Sequence, residues 1–457
     1  MSEARHARPS ALFTDLYELS MAQAYVADGI EEPAAFEVFF RKLGDERGYV
    51  LAAGLETVLA ALEAFAFERD ELAYLATTGL FGDEFLDWLS RARFTGDVDA
   101  VPEGTAVFPD EPLLRVTASL PVAQILETRV LNATHYASLV TTKAARIVEA
   151  ADGRGVVDFG ARRAHGVDAA VTAARGSWIG GFGGTSNMVA GQRFGLPVVG
   201  TMAHSYIEAH DSELAAFRAF ARQYPETTLL VDTYDTLAGI DNVVRLAGEL
   251  GEAFRVAAVR IDSGDLDALA RAARERLDAA GLGGVKVIVS GGLAEQRIAE
   301  LVAAGAPIDG FGVGTDLVVS RDLPTLDFAY KMVSHAGEPR LKSSPDKASL
   351  PGPKQVFRRW QDGMMTGDTI AGATEALAGE PLLRPVMRAG RRLDPPESLD
   401  ALRERAAAQR LALPPRLRQP EPAGTPYPVA VSQALENEAE RLRRQHLGES
   451  APSRPER

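Results

Sequence analysis

The run Val256-Ala257-Ala258-Val259-Arg260-Ile261-Asp262-Ser263-Gly264-Asp265 sets the architecture of the chain. Its first half is short, apolar and β-branched, the composition of a strand buried on both faces. Its second half turns polar and ends in Gly and Asp, the chemistry of a turn into a helix. A helical apolar period follows over 266–280, and Asp265 stands where an N-cap belongs. The same text recurs on both sides. Apolar runs appear at Val156-Val157-Asp158-Phe159, Val198-Val199-Gly200 and Thr228-Leu229-Leu230-Val231-Asp232. Two more follow at Val285-Lys286-Val287-Ile288-Val289-Ser290 and Gly310-Phe311-Gly312-Val313-Gly314, with a helical stretch at 295–304 between them. Strands alternating with helices imply parallel βαβ units. Polar residues follow nearly every strand rather than those at one reversal point. This favours an irregular parallel α/β barrel over an open doubly wound sheet, which shares the alternation.

Outward from this region the pattern changes. Residues 10–95 read as helices around one strand, Ala35-Phe36-Glu37-Val38-Phe39-Phe40, and 96–120 as short strands punctuated by Pro and Gly. Residues 121–151 read as one long helix carrying Thr141-Thr142-Lys143-Ala144-Ala145-Arg146. After about 335 the text is rich in Pro, Gly and Lys, and 431–447 form a charged helix ahead of a frayed tail. The expected organisation is a second α/β domain built from 1–120 and completed by roughly 340–430, a barrel over 121–339, and a C-terminal helix and tail over 431–457.

Composition narrows the chemistry. The 457 residues include 49 Lys+Arg and 63 Asp+Glu, a net charge of −14, so no long-range field draws nucleic acid or an anionic membrane. The absence of cysteine removes disulfides, thiolate nucleophiles and Cys-ligated metals. Hydrophobic residues at 46% and charged residues at 25% are ordinary for a globular chain. No run approaches a membrane span, and Met1 to Pro9 lacks the apolar core of a secretory signal, so a cytoplasmic protein is expected.

In a parallel barrel the reactive groups follow the strands. Ser290-Gly291-Gly292 and Gly312-Val313-Gly314-Thr315 end consecutive strands, and Gly-rich turns let backbone N–H groups converge on an anion. Together they favour a phosphate cradle over plain tight turns. Arg260 and Asp262 lie two residues apart, on one side of a continuing strand. Arg presents a planar fork to a carboxylate or phosphate, and Asp262 with Asp232 can hold Mg²⁺ directly or through water. A buried ion pair is the plainer alternative. From the residue alone, His204 is as readily structural as it is a base, a phosphate acceptor or a ligand. Arg162-Arg163 reads as a clamp or as surface charge, and Trp178 with the 180–184 glycines as a mobile flap or only a loop.

These residues also carry a resemblance. The chain resembles the nicotinate phosphoribosyltransferases at Thr14-Asp15-Leu16-Tyr17-Glu18-Leu19-Ser20-Met21, Asp158-Phe159-Gly160-Ala161-Arg162-Arg163 and Thr185-Ser186-Asn187. The likeness continues at Gly200-Thr201-Met202-Ala203-His204-Ser205, Arg260-Ile261-Asp262-Ser263-Gly264-Asp265-Leu266, Ser290-Gly291-Gly292-Leu293, Gly312-Val313-Gly314-Thr315 and the 347–354 stretch. The resemblance implies transfer of a phosphoribosyl group from 5-phosphoribosyl-1-pyrophosphate to nicotinate, the entry step from nicotinate to NAD. It implies Mg²⁺, and ATP hydrolysis through a phosphohistidine at His204. It further implies that Tyr17 stacks on nicotinate across a homodimer interface and that Phe159 forms the opposite aromatic face. Thr201 and Arg260 would bind nicotinate, Arg260 at its carboxylate, with Arg162 beside the base or phosphate. Asp232 and Asp262 would face ribose and pyrophosphate, and Ser290, Gly291, Gly292, Gly314 and Thr315 the 5′-phosphate. In the related nicotinamide phosphoribosyltransferases an Asp stands where this chain has Ser186, so Ser186 would admit the acid. The alternatives are that amide-using activity, or a catalytically silent nucleotide-binding barrel.

Overall fold

The computed structural model describes residues 10–344, 349–420 and 424–447. Residues 1–9, Lys347 and the tail beyond 447 lie outside the described residues. The fold is mixed α/β. Its central parallel sheet has five strands, β1 (Gly155–Asp158), β2 (Thr228–Leu230), β3 (Ala258–Ile261), β4 (Lys286–Ser290) and β5 (Gly310–Val313), in the order β1-β5-β4-β3-β2. Val259, Val287, Val289 and Val313 are fully buried in it. The helix Leu266–Ala279 lays Leu266, Ala270, Ala273 and Leu277 against that core, and the Asp265 carboxylate accepts from Ala268 N, as its position predicts.

The sheet is not a closed barrel. Among the described residues it continues beyond β1 only as single bridges, Asp158 to Thr185 and Thr185 to Val198, so the expected strand at 198–200 does not form. The Val198-Val199 run is two residues long between Pro197, which has no N–H to give, and Gly200. Facing it, β2 is three residues long. Among the described residues no backbone ladder joins these two edges. The Thr201 hydroxyl instead donates to Thr228 O at 2.7 Å.

A seven-stranded sheet draws on both ends of the chain. Its strand Pro33–Phe40 pairs antiparallel with Phe328–His335 on one side and with the central strand Leu114–Ser119 on the other; Leu114–Ser119 pairs in turn with Asp97–Ala100, and that with Arg384–Arg388. The long 121–151 helix is two helices, Leu120–Ile125 and Glu127–Ala150, interrupted at Leu126. Carbonyls just before the interruption serve distant donors, Ala123 O the Tyr330 hydroxyl and Ile125 O the Thr14 hydroxyl. The chain past 350 forms a four-stranded sheet and the helix Leu399–Leu411. Trp178 is neither flap nor loop. It lies in the helix Val167–Gly180, whose end is pinned by Arg403: its guanidinium lies 4.4 Å over the Trp178 ring and donates to the carbonyls of Gly181 and Phe182. No helix among the described residues is long and apolar enough to cross a membrane.

Candidate active site

Arg260 is the penultimate residue of β3, and its side chain is fixed from three sides. Nε donates to Ser290 Oγ at 2.8 Å, Nη2 pairs with Asp262 Oδ1 at 3.0 Å, and the guanidinium lies 5.6 Å over the Phe159 ring. The i, i+2 spacing keeps Arg260 and Asp262, just past the end of β3, on one side, and Ser290 follows Val289, the partner of Ile261 in β4. Ser290 also donates to Asp262 Oδ1. Burial pushes the Asp262 carboxyl up, but the Ser290 hydroxyl and the Arg260 guanidinium outweigh it, with His204 adding to them, and hold it below the usual carboxylate range. The Gly291 backbone presses on Asp262: a Cβ added there would sit 2.1 Å from the Asp262 carbonyl oxygen.

His204 opens the short helix His204–Glu208 on the opposite wall. Its Nδ1 lies 3.1 Å from Thr233 Oγ and its Nε2 4.0 Å from Asp262 Oδ2. Asp158 organises the third side. One of its oxygens accepts from Gly160 N at 2.7 Å and the other from the Thr185 hydroxyl at 2.7 Å. Its buried carboxylate thus sets both the Phe159 to Arg162 turn and the Thr185 to Asn187 segment, and burial raises its pKa.

Seven of the residues singled out in the sequence meet in one cavity of about 330 Å³: Phe159, Arg162, Ser186, Thr201, His204, Arg260 and Asp262. Asp232 sits behind it. Its Oδ2 accepts from Asp262 N at 2.9 Å and from the Ser263 hydroxyl at 2.7 Å, while its buried Oδ1 has no partner. No group of three or more metal-ligating side chains exists among the described residues. A cation held by one or two carboxylates and completed by substrate phosphates needs no such cage, and the unpartnered Asp232 oxygen beside Asp262 fits that arrangement. Gly291, Gly292, Gly314 and Thr315 follow the ends of the adjacent strands β4 and β5, outside the lining of this cavity. Tyr17 is not brought to it. It lies half exposed on the helix Leu16–Ala27, in a separate hollow with Leu16, Ser20 and Met21. Thr233, Thr185 and the structural role of Asp158 escaped sequence reasoning. Thr233 was marked only by its place after the run 228–232, and Asp158 and Thr185 only by lying in stretches that carry the resemblance.

Comparison with known proteins gives the family. The models for the nicotinate phosphoribosyltransferase N-terminal domain, the nicotinate phosphoribosyltransferase family and the C-terminal domain match residues 12–135, 155–338 and 374–438. Nicotinate phosphoribosyltransferase pncB2 of Mycobacterium tuberculosis is 55% identical over 443 residues, covering 97% of this chain and 96% of that one. The nicotinate phosphoribosyltransferase of Bacillus subtilis is 42% identical over 384 residues, covering 82% and 78%. The crystal structure of human nicotinic acid phosphoribosyltransferase superposes with a TM-score of 0.82 at 30% identity, covering 94% of this chain and 99% of that one. On its sequence and on its fold, this chain belongs to the nicotinate phosphoribosyltransferase family.

Proposed function

We propose that this protein transfers the phosphoribosyl group of 5-phosphoribosyl-1-pyrophosphate to nicotinate, forming nicotinate mononucleotide and pyrophosphate, the first step from nicotinate to NAD. One observation carries the reading: Arg260, locked by Ser290 and Asp262 over the Phe159 ring, offers a guanidinium beside an aromatic face in a cavity sized for a small acid. Nicotinate then lies with its ring against Phe159 and its carboxylate toward Arg260, and Thr201 lines the same wall. Departure of pyrophosphate leaves positive charge at the ribose C1 and ring oxygen. The carboxylates of Asp262 and Asp232 are fixed before the reaction, so they favour that charge without reorganising. Stacking aims the ring nitrogen at C1, which removes most of the entropic part of the barrier. Asp262 and Asp232 would hold Mg²⁺ together with substrate phosphates, and the ion supplies charge neutralisation on the leaving group. The two glycine loops take the 5′-phosphate through backbone N–H groups.

ATP is the co-substrate in this reading. A His204 ring nitrogen forms a bond to the γ-phosphorus as the β–γ bridging bond breaks and ADP leaves; water later hydrolyses the phosphohistidine. In the tautomer whose Nδ1–H donates to the Thr233 hydroxyl, the lone pair for this attack is on Nε2. Incubation of protein, nicotinate, donor and Mg²⁺, with and without ATP, tests the whole scheme through pyrophosphate release; no release under either condition leaves only a nucleotide-binding protein. His204→Ala is expected to abolish stimulation by ATP while slow synthesis persists. ATP stimulation surviving in that variant would remove His204 from the scheme.

The helix bearing Tyr17 also exposes Leu16 and Met21, an apolar face suited to a second copy of the chain. We read the active form as a homodimer with Tyr17 entering the partner's site. Substrate choice falls on Ser186, whose backbone N–H donates to Asp158 O at 2.9 Å, so that the residue lines the cavity. A carboxylate there would repel the substrate's own. Ser186→Asp is expected to shift the kcat/KM ratio toward nicotinamide by about 10- to 100-fold. An unchanged ratio would dismiss Ser186 as the selector.

A further inference from the structure

The helix Glu127–Ala150 carries two cations on a face that solvent does not reach, Lys143 and Arg146, each 1% exposed. The Lys143 ammonium pairs with two carboxylates at once, Glu295 Oε2 and, at 2.9 Å, Asp322 Oδ1. Arg146 Nε adds a bond to Glu295 Oε1 at 3.0 Å, and Arg47 grips both oxygens of Asp322 at 2.7 and 3.0 Å. Each of the two carboxylates lies downstream of one of the glycine loops. Glu295 opens the helix that follows Ser290-Gly291-Gly292, and Asp322 lies just past the short helix Thr315–Val318 that follows Gly312-Val313-Gly314. The strands before them are neighbours, with Gly312 opposite Ser290. One buried ammonium therefore joins the chain behind one glycine loop to the chain behind the other.

Stability alone is a weak account of such a cluster. Desolvating the ions offsets most of their attraction, and apolar replacements of buried pairs are often neutral. What ion pairs of fixed geometry supply is direction and spacing. The second segment needs such restraint: Ser320, 1% exposed, holds φ at +45°, and Arg47 Nη2 donates to its hydroxyl at 2.5 Å. On the other side, Gly291 abuts the carbonyl of Asp262, one of the two carboxylates assigned to the donor, so a shift of the first loop reaches the donor's seat.

We propose that Lys143 is a positioning residue for the phosphoribosyl donor: its ammonium sets the spacing of the two glycine loops and thereby the seat of the sugar phosphate. The proposal rests on those loops being the phosphate cradle. Lys143→Met is expected to raise KM for 5-phosphoribosyl-1-pyrophosphate about tenfold or more while KM for nicotinate moves by less than about twofold. A folded variant with an unchanged donor KM, or with both KM values raised equally, overturns it. If Lys143→Met does not fold, Glu295→Gln and Asp322→Asn keep shape and remove one partner each. Each is expected to raise the donor KM about threefold with little change for nicotinate, and no change in either overturns the proposal. Titration with ribose 5-phosphate separates this from the transferase reading. A wild-type protein that binds the sugar phosphate but makes no nucleotide overturns the transferase alone. Equal affinity in wild type and Lys143→Met, or no binding by a wild type that makes nucleotide, overturns the positioning role alone, and a wild type that neither binds nor makes nucleotide overturns both.

Discussion

Arg260→Ala is expected to lower kcat/KM for nicotinate by about 10²–10³-fold in a protein that remains folded. Two losses combine. A charge-assisted hydrogen bond to a carboxylate contributes about 1.5–3 kcal/mol, and each ~1.4 kcal/mol is a factor of ten. The second loss is order. Without the guanidinium, Asp262 keeps only the Ser290 hydroxyl and distant His204 against burial, so its carboxyl titrates higher and is less firmly aimed. Arg260→Lys should recover little. A single ammonium cannot donate to Ser290, pair with Asp262 and stack over Phe159 at the same time. Initial rates at varied nicotinate, with circular dichroism as the folding control, decide the matter; turnover within about threefold of wild type would take Arg260 out of the substrate's path.

Gly291→Ala should be nearly as damaging, for a steric reason. Gly291 has φ of +90°, where an L side chain is strained by about 1–3 kcal/mol. The added methyl would also lie 2.1 Å from the Asp262 carbonyl oxygen, a contact that only movement of one backbone can relieve. A displacement near 1 Å at a reacting centre costs about 10²-fold. We expect that loss in kcat/KM together with a lowered Tm. Gly292→Ala is the informative neighbour: φ there is +62° and an added Cβ meets nothing within 4 Å. It should show the strain without the collision, and so the smaller loss. Equal effects at the two positions would mean that contact with Asp262 is not what makes Gly291 matter.

The parallel sheet was legible because its strands bury most of their length and therefore read as largely apolar runs; β1 to β5 stand where Val156, Leu229, Val259, Val287 and Phe311 announce them. Closure was not legible. Whether two edges meet depends on residues far apart in sequence, and here Pro197 and the brevity of β2 leave the Thr201 side chain to span the gap. The break at Leu126 was hidden for a related reason, since the donors drawn to that stretch come from Thr14 and Tyr330. Within the site, Arg260 and Asp262 could be paired from strand periodicity alone. Ser290 read as part of an anion loop, yet its hydroxyl is engaged with that pair. Thr233 gave no signal beyond its position, because a threonine beside a strand end is commonplace and its histidine lies 29 residues earlier.

The seven-stranded sheet has a consequence for how the chain is made. Strand 97–100 finds its outer neighbour only at 384–388, and strand 33–40 one of its two neighbours only at 328–335. At about 5–20 residues per second, a ribosome needs roughly 15–60 s to cross the larger interval. Throughout that time the nascent chain presents apolar strands with open edges, which invite pairing with other molecules. Late-completed topologies of this kind fold slowly. Yield in a host should therefore respond to chaperone supply and to growth temperature more than to any single surface substitution.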